Sequence, residues 1–182
     1  MATATDTNRT LLILYQGVQM TLAVFETLKG ATPEARLSEL GYELPETRKP
    51  AGNYCGAVTT GKLVFVAGHG TFKGAAQTHH GKLGADVSVE EGYEGARNAV
   101  ISALASLKAE IGELSRVKRI VRLFGMVAST SDFHRQPEVI DGASDVLTAL
   151  FGKAGVHARC AVGFISLPFN MPIELEMVVE ID

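Results

Sequence analysis

Ile173–Ile181 reads IELEMVVEI, and its alternation decides the fold. Ile173, Leu175, Met177, Val179 and Ile181 fall on one side of an extended chain, and Glu174, Glu176 and Glu180 on the other, because successive strand side chains point to opposite faces. One face is therefore apolar and the other carries carboxylates, and the rest of the chain must supply a cover for the apolar one. Immediately upstream, ARCAVGFISLP (158–168) reads as another strand, joined to the last by a short turn containing Pro and Asn. Before it, QPEVIDGASDVLTALFG (136–152) reads as a helix with Pro137 near its start and Gly152 as its stop. VKRIVRLFGMVAS (117–129) supplies a further strand.

The longest helix begins at Ser88, where SVEE has the form of a capping box: the Ser88 hydroxyl and the Glu91 carboxylate satisfy each other's backbone N–H groups. Val89, Tyr93, Ala96, Val100, Leu104, Leu107, Ile111 and Leu114 then recur at spacings of three and four and define one buried face. Ahead of it, YCGAVTTGKLVFVAG (54–68) reads as two strands around a Thr-Thr-Gly-Lys turn, followed by a loop rich in Gly, His and Lys. The order β-β-α-β-α-β-β predicts an α+β domain, a sheet with two helices packed on one face.

At 182 residues, 46% hydrophobic and 20% charged, the chain is long enough to bury a single core. A formal net charge of -3 gives no footprint for a polyanion, so nucleic acid is not favoured as a partner. Cys55 and Cys160 lie far apart without metal-site spacing, which points to a reducing, cytoplasmic setting. The apolar run LLILYQGVQMTLAVF (11–25) is too short and polar to span a bilayer, and no signal peptide or membrane partner is expected. Residues 1–50 read as an accessory arm and 51–182 as the main domain. Met20 is an alternative start to Met1. Within the arm, Thr32 caps a short helix that has Pro33 first and Gly41 after its end, docked on the surface with no catalytic role.

In ARCAVGF, period 2 sets Arg159, Ala161 and Gly163 on one face and Ala158, Cys160 and Val162 on the other. Cys160 is read as a small packing residue, with Cys55 similar. Arg159 always carries its charge and must find a carboxylate or water wherever it sits. Two readings stand: an ion pair with Glu174 or Glu176 on an adjacent strand, or a fork that holds a ligand carboxylate while a nearby carboxylate handles protons. The adjacent His79 and His80 have no third ligand at useful spacing, and no metal is expected.

AGNYCGAVTTGKLVFVAGHG (51–70), SDF (131–133), LFGKAGVHARCAVG (150–163) and LPFNMPIELEMVVEI (167–181) together resemble the Rid (YjgF/UK114-type) family of reactive-intermediate deaminases, in a divergent branch. The resemblance implies a chorismate-mutase-like fold, a homotrimer with clefts between subunits, and hydrolysis of small carboxylate-bearing enamines and imines, of the 2-aminoacrylate and 2-iminopropanoate type. The products are a 2-keto acid and ammonia, formed without metal or organic cofactor. It further implies that Arg159 clamps the substrate carboxylate, that Glu174 positions the attacking water, and that Tyr54 lines the cleft. Gly68, His69 and Ala161 fall at substrate-binding positions. Ala67 and His69 stand where serine and glutamine are usual, Cys160 and Ala161 where serine and cysteine are, and Ser144 marks the place of an asparagine. A non-catalytic keto-acid-binding trimer is the second expectation and an endoribonuclease the third.

Overall fold

The structure, a computed structural model, describes Leu28, residues 30–73 and residues 76–182. Helix α1 (Pro33–Glu39) starts at Thr32, whose hydroxyl accepts from Ala35 N–H at 3.2 Å. Gly41 ends it in the left-handed region at φ 82°, as the sequence predicts. Leu37 buries itself in the core, Arg36 donates through Nη1 to the carbonyl of Leu150 at 2.6 Å, and Glu34 pairs with Lys108 at 2.8 Å. Helix α1 is thereby docked on the helix layer. The apolar run 11–25 and the choice between Met1 and Met20 lie outside the described residues.

Strands β1 (Ala57–Thr60) and β2 (Leu63–Gly70) form the expected antiparallel hairpin, with Gly61 at φ 59° making its turn. A short hairpin follows, β3 (Phe72–Lys73) and β4 (Ala76–Gln77), where the sequence suggested only loop. Helix α2 (Val89–Ile111) has the predicted capping box at Ser88 and Glu91, a device that contributes about 0.5–2 kcal/mol at a helix start. Leu114 lies beyond the helix in a 3₁₀ turn but is fully buried, as its place in the apolar pattern requires. Strand β5 (Val117–Ala128), helix α3 (Gln136–Phe151), strand β6 (Ala158–Phe164) and strand β7 (Ile173–Ile181) complete the order β-β-α-β-α-β-β around the small hairpin.

The five-stranded sheet runs β1-β2-β7-β5-β6. β7 therefore does not pair with β6, its neighbour in sequence. It passes over β5 and inserts antiparallel between β2 and β5, where its apolar residues are buried under α2. β6 is left on the edge, parallel to β5 and joined to it through α3, since a parallel pair needs a crossover. The turn that lets the chain cross carries Phe169 and Asn170 at positive φ, 56° and 57°. It is held by Gly81 N–H on the Asn170 carbonyl at 2.9 Å and by Gln77 on that of Phe169 at 3.2 Å.

α2 and α3 cover one sheet face and enclose the core of Val64, Val66, Leu104, Ile120, Leu123, Ile140, Leu175 and Val179. The other face is open, with no described helix on it. Val58, Phe65, Val162 and Phe164 are exposed there, beside the Arg122–Glu176 pair at 3.6 Å. Cys160 lies on this open face and is exposed, so it is not a packing residue; the register Phe124↔Cys160 fixes its side, because Leu123 and Gly125 are the β5 residues that face the helices. Cys55 is exposed as well.

Candidate functional site

The chemistry-bearing residues form two groups, one on each side of the sheet. The first is built on the edge strand. Arg159 pairs in register with Leu123, which is fully buried under the helices, so its side chain leaves the sheet on the α3 side. There Nη1 donates to Asp141 Oδ1 at 2.7 Å and to Ser144 Oγ at 3.0 Å. Asp141 and Ser144 are three residues apart on α3 and so share a helix face. Both bonds use one nitrogen, and among the described residues Nη2 and Nε have no partner. Behind Ser144 sits His157, with Nε2 3.2 Å from Ser144 Oγ and Nδ1 2.6 Å from the Gly155 carbonyl. Burial holds the imidazole below its ordinary pKa, and the neighbouring Arg159 charge adds to this against the Gly155 bond.

The sequence offered Glu174 or Glu176 as the ion-pair partner of Arg159. The partner is Asp141, because β5 separates β6 from β7 and the two glutamates face the other way. Glu176 is engaged by Arg122 instead. Ala161 shares the Arg159 side of β6 and packs against the edge of the core.

The second group lies on the open face. Between Val66 and His69 the β2–β7 register shifts, so that Ala67 and Gly68 together face a single β7 residue, Glu176. Gly68 lies beside Glu174, and a methyl group there would collide with Glu174 Oε1. The missing side chain thus makes room for the carboxylate. Glu174 is half-buried, and loss of solvent raises its pKa above the usual carboxylate value, with the Glu176 charge acting in the same direction. Such a carboxylate holds a proton more readily than a free one, which suits acid-base work.

The bulge also turns His69. It pairs with Leu175 on the helix side, where Nδ1 contacts the Ala67 carbonyl at 2.7 Å and Nε2 contacts Ser106 Oγ at 2.8 Å. Burial lowers its pKa, only partly opposed by the Ala67 bond. The ring is therefore neutral and on the opposite face from Glu174. Tyr54 is 58% exposed in the segment before β1, its hydroxyl accepting from Ala51 N–H at 3.2 Å. His79 contacts Thr78 Oγ1 and His80 contacts Gln77, and no group of three metal-ligating side chains converges among the described residues.

Within one chain, then, the structure brings together Arg159, Asp141, Ser144 and His157 on one side, and Glu174 with Gly68 on the other. Two strand spacings of about 5 Å and the thickness of the sheet separate the groups. Asp141 and His157 were not singled out from the sequence. Their signal was present: Asp141 and Ser144 at helical spacing on a helix that the parallel crossover must lay beside β6, and His157 two residues ahead of Arg159.

Residues 34–180 match the family described as "YjgF/chorismate_mutase-like, putative endoribonuclease". The chain belongs to this family. Protein TCP17 of Trypanosoma cruzi is 38% identical over 149 residues, 81% of this chain and 93% of that protein. The crystal structure of a "putative endoribonuclease" from Shewanella oneidensis superposes with a TM-score of 0.80 at 37% identity, covering 82% of this chain and 99% of that one. A protein of unknown function from Agrobacterium tumefaciens gives 0.78 at 37% identity over 88% and 98%. RidA from an Antarctic Psychrobacter shares the fold, with a TM-score of 0.52 at 20% identity over 75% and 94%. The YjgF-like chain is thus an α+β member of the family with the chorismate-mutase-like architecture. No described helix is long and apolar enough to cross a membrane.

Proposed function

We propose that this YjgF-like protein is a hydrolytic deaminase of small enamines and imines that carry a carboxylate. The observation that carries the reading is the state of Arg159, anchored through Nη1 alone and presenting Nη2 and Nε as a free two-donor edge. That edge matches the two oxygens of one carboxylate. An iminium carbon is already electrophilic, so the protein need only fix the acid and deliver water. Water adds to the imine carbon as its proton passes to Glu174, and the carbinolamine then releases ammonia as the carbonyl forms. One imine and one water give one 2-keto acid and one ammonia. No metal or organic cofactor enters this balance.

Since Arg159 and Glu174 of one chain stand on opposite faces, the complete site needs a second subunit. The exposed Val58, Phe65, Val162 and Phe164 of the open face supply an apolar surface for closure into a homotrimer, with Arg159 of one protomer meeting Glu174 of its neighbour. In this arrangement Tyr54 and the backbone at Gly68 and Ala161 line the cleft. RNA suits the site poorly, because the open face carries Glu174, Glu176 and Glu180 and the chain is net negative at -3.

The test is to generate 2-aminoacrylate and related imines in situ with a dehydratase or an amino-acid oxidase and to follow imine loss. Acceleration by the wild-type chain is expected. A folded trimer that binds 2-ketobutyrate but accelerates no imine would replace this reading with a binding protein.

A further inference from the structure

The hydrogen bonds behind Arg159 have a fixed direction. A carbonyl oxygen only accepts, so the 2.6 Å contact with Gly155 places the single proton of neutral His157 on Nδ1. Nε2 is then a bare lone pair, and the Ser144 hydroxyl 3.2 Å away donates to it. With its proton so used, the Ser144 oxygen offers lone pairs to Arg159 Nη1 at 3.0 Å. A helical serine ordinarily turns its hydroxyl proton back to the carbonyl one turn earlier, as Thr148 does toward Ser144 at 2.9 Å. Ser144 makes no such bond among the described residues; His157 takes the proton instead. Asp141 holds the same Nη1 at 2.7 Å but is 40% exposed, so water competes with that pair and leaves it a poor anchor alone.

We infer that His157 is a positioning residue for the carboxylate clamp, acting through Ser144 to lock the Arg159 guanidinium with its Nη2 and Nε edge toward the ligand. The inference rests on the reading of Arg159 as the carboxylate site. It assigns to His157 no contact with substrate and no proton transfer. Removing either link lets Ser144 turn away or disappear, and the guanidinium then samples other rotamers whose cost is repaid from binding energy. The effect belongs in ligand affinity and KM, with kcat little changed.

The experiment measures binding of 2-ketobutyrate by calorimetry, together with kcat and KM for imine loss, in wild type, Arg159→Ala, His157→Phe, His157→Gln, Ser144→Ala and the double variant. His157→Phe and Ser144→Ala are each expected to weaken 2-ketobutyrate binding and raise KM about five- to tenfold, the value of one ordinary net hydrogen bond. The double variant should be no worse than either single one, because both cut the same chain. His157→Gln, whose amide oxygen can accept from Ser144, should recover part of the loss. Should His157→Phe fail to fold, His157→Leu carries the same prediction, since it too offers the Ser144 hydroxyl no acceptor. Unchanged affinity in a folded His157→Phe or in Ser144→Ala, or additive losses in the double variant, would overturn the inference while loss of binding in Arg159→Ala still upheld the clamp. If Arg159→Ala binds 2-ketobutyrate as wild type does, both readings fall together.

Discussion

Arg159→Ala should lose imine hydrolysis by a factor on the order of 10²–10³ in kcat/KM while the chain keeps its fold. The size follows from removing the charged half of the proposed two-bond carboxylate contact in a partly enclosed site. The fold survives because the side chain it leaves behind, Asp141, is 40% exposed and is resolvated by water, so no buried charge is orphaned. Arg159→Lys is not a conservative replacement. A single ammonium lacks the planar fork that lets one nitrogen serve Asp141 and Ser144 while the rest faces the ligand. It is expected to raise KM strongly. Steady-state kinetics beside circular dichroism checks both variants, and a folded Arg159→Ala with full activity would remove Arg159 from the site.

Glu174→Gln is the second large effect. In the proposed reaction its carboxylate takes the proton of the attacking water, so an amide of equal size should lower kcat about 10²-fold or more and leave 2-ketobutyrate affinity near its wild-type value. The pH profile carries the same assignment. Burial first, and then the Glu176 charge, raise the Glu174 pKa, so the acid limb of kcat should lie above the ordinary carboxylate value of 4.5. The sign for stability is the opposite of that for activity. A raised folded pKa means that the folded state holds the proton more tightly, so stability falls as pH rises through the window between 4.5 and the raised value. Glu174→Gln therefore keeps or improves stability at neutral pH as it loses turnover. Thermal unfolding at two pH values tests this, and a variant both inactive and unstable at pH 7 would speak for a structural role of Glu174.

Much of this architecture is legible in the sequence because the signals are local. Alternation in Ile173–Ile181 marks the strand and its two faces, the Ser88 and Glu91 pair marks a helix start, and Gly41 and Gly152 mark helix ends. Positions set by pairing across the sheet are not legible in the same way. Nothing in the turn after Phe164 says that β7 will cross β5 and leave β6 on the edge, yet that crossing separates Arg159 from Glu174 and hands Arg159 to Asp141. The same edge position exposes Cys160. His69 illustrates a second limit. One extra residue in a strand reverses the face of everything after it, and the bulge at Ala67 and Gly68 sends the imidazole to Ser106 on the helix side. Of the candidate site, the identities of the clamp and the carboxylate come from the sequence, whereas the frame of Asp141, Ser144 and His157 comes from the structure.

The measurement that bears most directly on a cleft shared between subunits is complementation. Arg159→Ala and Glu174→Gln chains, each inactive alone, are unfolded together, refolded at equal concentration, and assayed for imine loss. In a ring where Arg159 of one protomer meets Glu174 of the next, random assembly leaves about one quarter of the sites with both native residues, and about one quarter of wild-type activity should return. Activity no greater than that of the separate variants, from mixed trimers shown to have formed, would contradict the account.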